Sequence, residues 1–143
     1  MALLNLGCLG TLPFVDKKTQ TWLGLAKSDL EFAEGILQNK QRPAYAVFFC
    51  HQALEKILKA VVQHTTGNIP PRTHSLENLL QLVQKELPQE KLDILIQLAP
   101  HYLGTRYPDD LAKFSKKYSD EFVRPLFQKT KELFLWIENT WLI

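Results

Sequence analysis

The sequence is poor in the residues that define several protein classes. It has only two cysteines, Cys8 and Cys50, and neither belongs to a CxxC pair. A cysteine zinc site, a thioredoxin-like motif and a disulfide scaffold are therefore excluded, and two lone thiols fit a reducing cytoplasm. The six glycines are scattered singly, so no glycine-rich loop is available to cradle phosphates as in P-loop or dinucleotide folds. No apolar run approaches the ~20 residues that cross a bilayer. The net charge of +2 is too small for bulk electrostatics to mark a nucleic-acid binder; such a role would need a local basic stripe. HExxH, GxSxG and DxDxDG are all missing, and with them the common zinc, hydrolase and calcium signatures. Asn-Gly and Asp-Gly dipeptides and period-two alternation are missing too, which leaves no strand signal.

What is present is ordinary globular composition, 45% apolar and 22% charged over 143 residues, one domain's length. Residues 1–18 are mildly apolar and broken by Gly7, Gly10 and Pro13. Their charges, Lys17 and Lys18, follow the apolar stretch instead of preceding it as in a secretory signal. This stretch is expected to be a loosely ordered extension, and residues 19–143 a single helical domain.

The apolar periodicity predicts helices throughout. Trp22, Leu25, Ala26, Ala33, Ile36 and Leu37 share one face of a helix from about Thr21 to Asn39. A second helix runs from about Pro43 to His64, with Pro43 at its first turn, where a missing N–H costs nothing. At 22 residues it spans ~33 Å, the height of a domain this size, and should be the central helix. Gly67 to Pro71 is a loop. A third helix covers about Ser75 to Glu86, with Ser75 as N-cap. A fourth begins near Pro88 and carries Leu92, Leu95, Leu98 and Tyr102, with Pro100 kinking or ending it and Gly104 closing it. Thr105 to Lys117 is polar and loop-like. The last helix covers about Ser119 to Thr140, with Pro125 bending it or marking its true start. The fold class is all-α, an up-and-down bundle of four to five helices. Phe134, Leu135, Trp136 and Ile137 in succession exceed what one helix face can bury, which predicts a homodimer.

Three polar clusters stand out. On the second helix His51, Gln52, Glu55, Lys56, Lys59 and Gln63 fall within an arc of about 140°. This stripe is either the solvated face of an amphipathic helix or a ligand groove with Lys56 and Lys59 on phosphate. Asp29 interrupts the apolar arc of the first helix, where a carboxylate needs a partner; Lys56, Lys59 and Arg106 are available. Arg106, Tyr107, Pro108, Asp109 and Asp110 form a turn that presents a guanidinium, a phenol and carboxylates. A metal is not expected, because only His51 and Glu55 are placed together and a site needs three or four ligands. No cofactor is expected either. His64, His74 and His101 suit surface or capping positions.

Taken in order, Asp29-Leu30 with Ala33, His51-Gln52-Ala53 with Glu55-Lys56 and Lys59, Thr73-His74-Ser75-Leu76 with Leu79-Leu80, and Arg106-Tyr107-Pro108-Asp109 resemble a HEPN domain. The match extends from about Leu25 to the last helix. The resemblance implies a four- or five-helix bundle, a homodimer, and a partner of the minimal nucleotidyltransferase type in a toxin–antitoxin-like, cytoplasmic module. It also implies nucleotide or RNA binding. His51, Gln52, Glu55, Lys56, Lys59, Arg106, Tyr107 and Asp109 would then face the ligand, with Asp29 and His74 as orienting residues. The RNase branch of the family carries an Arg and a His with four to six residues between them. Here Leu111, Ala112 and Lys113 stand in that window after Arg106. A non-catalytic binding protein is therefore expected. The alternative is a metal-independent RNase that uses atypical residues, Arg106 with His51 or Tyr107.

Overall fold

The structure, a computed structural model, describes residues 15–40, 42–102 and 117–143. Among these are five helices and no strand: α1 (Lys17–Gln38), α2 (Pro43–Thr66), α3 (Leu76–Val83), α4 (Gln89–Leu98) and α5 (Asp120–Trp141). Residues 1–14 of the expected extension lie outside the described residues. So do Gly104, the greater part of the expected polar loop, and Arg106, Tyr107 and Asp109.

α2 is the axis of the bundle. It packs along α1 and also meets α3 and α5; α4 packs on α5. From Ile57 to Gln63 every residue of α2 is buried, the condition of a helix surrounded by its neighbours. The core joins Leu30 and Leu37 of α1, Leu54, Ile57, Leu58 and Val61 of α2, Leu76 and Leu79 of α3, Leu95 and Leu98 of α4, and Leu126, Leu133, Phe134 and Ile137 of α5. The third helix is capped as its sequence predicts, and the last helix carries a serine cap of the same kind. Ser75 Oγ accepts from the Asn78 amide at 3.1 Å, and Ser119 Oγ from the Phe122 amide at 3.2 Å. Gly67 ends α2 in the left-handed region at φ 74°, its amide donating to Gln63 O, a conformation glycine adopts without strain.

Two boundaries differ from expectation. α1 begins at Lys17 rather than Thr21, because Asp16 accepts from the Thr19 amide at 2.7 Å and supplies an N-cap. α3 stops at Val83 rather than Glu86. Gln84 turns to φ 58°, and the exposed Gln84, Lys85 and Glu86 offer no apolar face to hold another turn. Of the two positions open to Pro125, inside the last helix or at its true start, the structure has the first; the proline is exposed, so the carbonyl its ring leaves unbonded faces the solvent side.

The apolar run on α5 is used within the chain. Phe134 and Ile137 are buried, and Trp136 meets Trp141 edge-on at 5.3 Å, which leaves Leu135 exposed. Of the four residues on which the dimer expectation rests, two are thus buried within the bundle, Trp136 is half-buried and Leu135 remains on the surface. Among the described residues no helix is long and apolar enough to cross a membrane.

Candidate functional site

The polar stripe of α2 is not a solvated face. His51, Glu55, Lys59 and Gln63 are 2%, 3%, 7% and 3% exposed. Buried polar groups of this kind must find partners, and Glu55 is the hub. Its Oε2 accepts from Lys59 Nζ at 3.0 Å, one helical turn on. Its Oε1 lies 3.1 Å from His74 Nδ1, which the loop between α2 and α3 delivers from 19 residues away. His51 Nδ1 lies 3.9 Å from the same oxygen, too far for a hydrogen bond, and has no partner among the described residues.

A second ion pair ties α1 to α2. Lys56 Nζ sits 2.6 Å from Asp29 Oδ2, a charge contact without hydrogen-bond alignment. Asp29 is 8% exposed, so the lysine supplies the partner that its position in the apolar arc demands. The Lys59 ammonium also lies over the Trp22 ring, 5.5 Å from the centroid. Both lysines of the stripe are therefore matched by carboxylates.

Tyr102, just beyond α4, completes the cluster. Its ring lies 4.2 Å from that of His51 and 5.5 Å from that of His74, centroid to centroid. His51, His74, Ser75, Ile96 and Tyr102 line a cavity of about 380 Å³, with Glu77 also on its wall. Burial, reinforced by the neighbouring His74, pushes the His51 imidazole down to about 3, so it is neutral at physiological pH. His74 is half-exposed and can meet a ligand from the cavity wall.

Trp22 and Tyr102 were not among the sequence-derived site residues. Trp22 precedes Asp29 by seven residues, two helical turns on one face, and that spacing was a usable signal. Tyr102 left none, since an aromatic at a helix end is ordinarily core. Gln52 is half-buried on the outer side of the stripe. His101 belongs to a separate contact, its Nδ1 3.0 Å from the Tyr118 hydroxyl. Burial and Lys117 hold that imidazole below the ordinary histidine range. Cys50 is buried, its thiol pushed up to about 12 by desolvation, and is unreactive as a nucleophile. No group of three or more metal-ligating side chains occurs among the described residues.

The HEPN domain family matches residues 19–140. The chain belongs to the HEPN family. Its fold is similar to that of TT1696 from Thermus thermophilus, with a TM-score of 0.73 at 23% identity, over 87% of this chain and 98% of that one. It is also similar to ST0689, an archaeal HEPN homologue, with a TM-score of 0.66 at 21% identity, over 85% of this chain and 95% of that one. No curated protein matches the sequence.

Proposed function

We propose that this HEPN-domain protein is a non-catalytic nucleotide- or RNA-phosphate-binding protein. In this reading it acts as a homodimer beside a minimal nucleotidyltransferase, in a toxin–antitoxin-like module of the cytoplasm. The observation that carries the ligand-binding part is the cavity. It is lined by a buried, neutral His51 with an unsatisfied ring nitrogen, by the half-exposed His74, and by the first turn of α3. A cavity near 300 Å³ or above with a few convergent polar groups suits a small ligand. The Ser75 cap satisfies the Asn78 amide and leaves the amides of Leu76 and Glu77 open to an anion, an attraction that the Glu77 carboxylate on the same turn partly offsets. Lys56 and Lys59 are paired with Asp29 and Glu55 and do not line the cavity, so in this reading phosphate contacts fall to His74 and to Arg106, four residues beyond Tyr102 in the chain. The non-catalytic part of the reading is supported by the sequence after Arg106, where Leu111, Ala112 and Lys113 stand in place of the histidine of the family's RNase branch.

Calorimetric titration of the purified protein with adenosine and uridine monophosphates tests the reading. Binding should weaken in His74→Ala and in Arg106→Ala. Undetectable binding by the wild type at low salt, or unchanged affinity in both variants, would remove it. Cleavage of tRNA that disappears in Arg106→Ala would establish the RNase alternative instead.

A further inference from the structure

One carboxylate oxygen behind the cavity wall faces two imidazoles. Glu55 Oε1 lies 3.1 Å from His74 Nδ1 and 3.9 Å from His51 Nδ1. The first separation is a hydrogen bond, and the second is about 1 Å too long for one. Glu55 is held in place: its side chain is 4% exposed, and Oε2 accepts from Lys59 Nζ at 3.0 Å. The two imidazoles are unlike. His51 stands on α2 one turn before Glu55, with a side chain 3% exposed. His74 comes from the loop before α3, with a side chain 50% exposed. The donor in use is the one a ligand can reach, and the buried one waits beside the same oxygen.

Fastening the loop to α2 needs one imidazole. His51 contributes nothing to that bond, and its buried Nδ1 has no hydrogen-bond partner among the described residues, an arrangement that costs stability. A phenylalanine would pack on the Tyr102 ring, 4.2 Å from that of His51, without the orphaned nitrogen. Beside a carboxylate, Nδ1 carries the proton, because a bare lone pair there would face the negative oxygen. His51 thus keeps an N–H close to an oxygen that another N–H already holds.

Resting on the ligand-binding reading above, we propose that His51 is the reserve donor to Glu55, and that the two histidines form a ligand-operated switch on that carboxylate. When a ligand in the cavity draws His74 onto itself, the Nδ1–H of His51 closes on Oε1. No proton changes hands, because each imidazole donates its own N–H. The buried carboxylate is never left bare, so His74 turns to the ligand without the penalty of an unsatisfied acceptor behind it. Both histidine rings pack on Tyr102, whose other face of contact is the stacked ring of Phe48 at 6.1 Å. Closure of His51 on Glu55 therefore changes the support of Tyr102, and the filled cavity differs from the empty one in the packing of α2. The ligand favours the closed state only through the bond it makes to the released His74, which is the differential contact such a switch requires.

Heteronuclear NMR of the histidine ring nitrogens tests the switch in the full chain, beside urea unfolding of His51→Phe, His74→Phe and the double variant. Phenylalanine keeps a flat ring against Tyr102 and removes the donor. In His74→Phe the Nδ1 proton of His51 should move downfield as it bonds the carboxylate. The same shift should appear in the wild type saturated with adenosine monophosphate. Each single variant should change the unfolding equilibrium constant little, because one donor remains. The double variant should lose roughly tenfold or more beyond the product of the two single effects, since Oε1 is then bare. Multiplicative effects, or an unmoved His51 proton in His74→Phe, overturn the proposal. If the double variant does not fold, the His74→Phe spectrum decides alone. A proton that moves in His74→Phe but not in the wild type with mononucleotide bound also overturns it, because the ligand then does not work the switch. Proton shift and excess loss in the variants with no mononucleotide uptake leave His51 as reserve donor and defeat the cavity reading. Mononucleotide uptake with multiplicative effects defeats this inference alone.

Discussion

The two halves of α2 handle their side chains in opposite ways. Near its start, Tyr45 is exposed, and Phe49 is half-buried against an exposed Phe32. In its middle and later turns, Glu55, Lys59 and Gln63 are nearly sealed from solvent. Apolar rings face outward at one end and charges face inward at the other, the reverse of the hydrophobic rule at both. The difference teaches which deviation serves the fold. The inward charges are matched, Glu55 by Lys59 and His74 and Asp29 by Lys56, so they are integral to the packing of α1, α2 and α3. The outward rings have no such obligation, and the bundle would stand without them.

The contrast is broken most severely at Glu55. Replacing it by Ala leaves the Lys59 ammonium buried without a counter-charge and frees His74 from its acceptor. Losing one partner of a buried pair costs about 3–5 kcal/mol, a large part of the stability of a domain this size. Urea denaturation should show that loss. Replacing both members, Glu55→Leu with Lys59→Met, should be milder than Glu55→Ala alone, since no charge is stranded. A double variant at least as unstable as the single one would show that the pair stabilises in its own right.

The next effect comes from His51 and appears only in acid. Its folded value of about 3 lies below the ordinary 6.5, so the unfolded chain binds the proton more readily than the native one. Stability therefore falls as pH drops from about 6.5 toward 3, and it is unaffected by this group above 6.5. The full cost is on the order of several kcal/mol at the acid end. His51→Gln, which cannot charge, should flatten the curve in this window when unfolding midpoints are measured from pH 7 down to pH 4. Parallel curves for the two proteins would mean that His51 titrates normally.

The fold was legible in the sequence because its signals are local. Ser75, Ser119 and Gly67 mark helix ends through their own chemistry, and the length of α2 follows from an unbroken apolar pattern. The start of α1 was missed for a local reason as well: Asp16 lay against Lys17 and Lys18, which looked like the edge of a tail. The site was less legible. The i,i+4 relation of Glu55 and Lys59 could be read, and Lys56 stood among the possible partners of Asp29. Burial of the stripe could not be read, because it depends on the loop that brings His74 across 19 residues to Glu55. Without that cover, an arc of His, Gln, Glu and Lys is indistinguishable from a solvated face. Arg106, Tyr107 and Asp109 lie outside the described residues, so their relation to the cavity rests on their place in the chain after Tyr102.

The smallest expected effect falls on an exposed aromatic ring. Phe32→Ala removes a whole ring, and in a core such a change costs about 3–5 kcal/mol. Here the ring is 60% exposed, and its recorded ring contact is the stack with Phe49. Lost stacking of about 0.5–1.5 kcal/mol is partly offset by alanine's better helix propensity, a few tenths of a kcal/mol or more. The net change should stay within about 1 kcal/mol, and the urea slope should not move, because the surface exposed on unfolding hardly changes. Thermal and urea unfolding of Phe32→Ala beside Glu55→Ala measure the comparison directly. A loss from Phe32→Ala that approached the loss from Glu55→Ala would mean that the outward rings hold the bundle together as firmly as the inward charges, and the division of α2 into a structural half and a free half would fail.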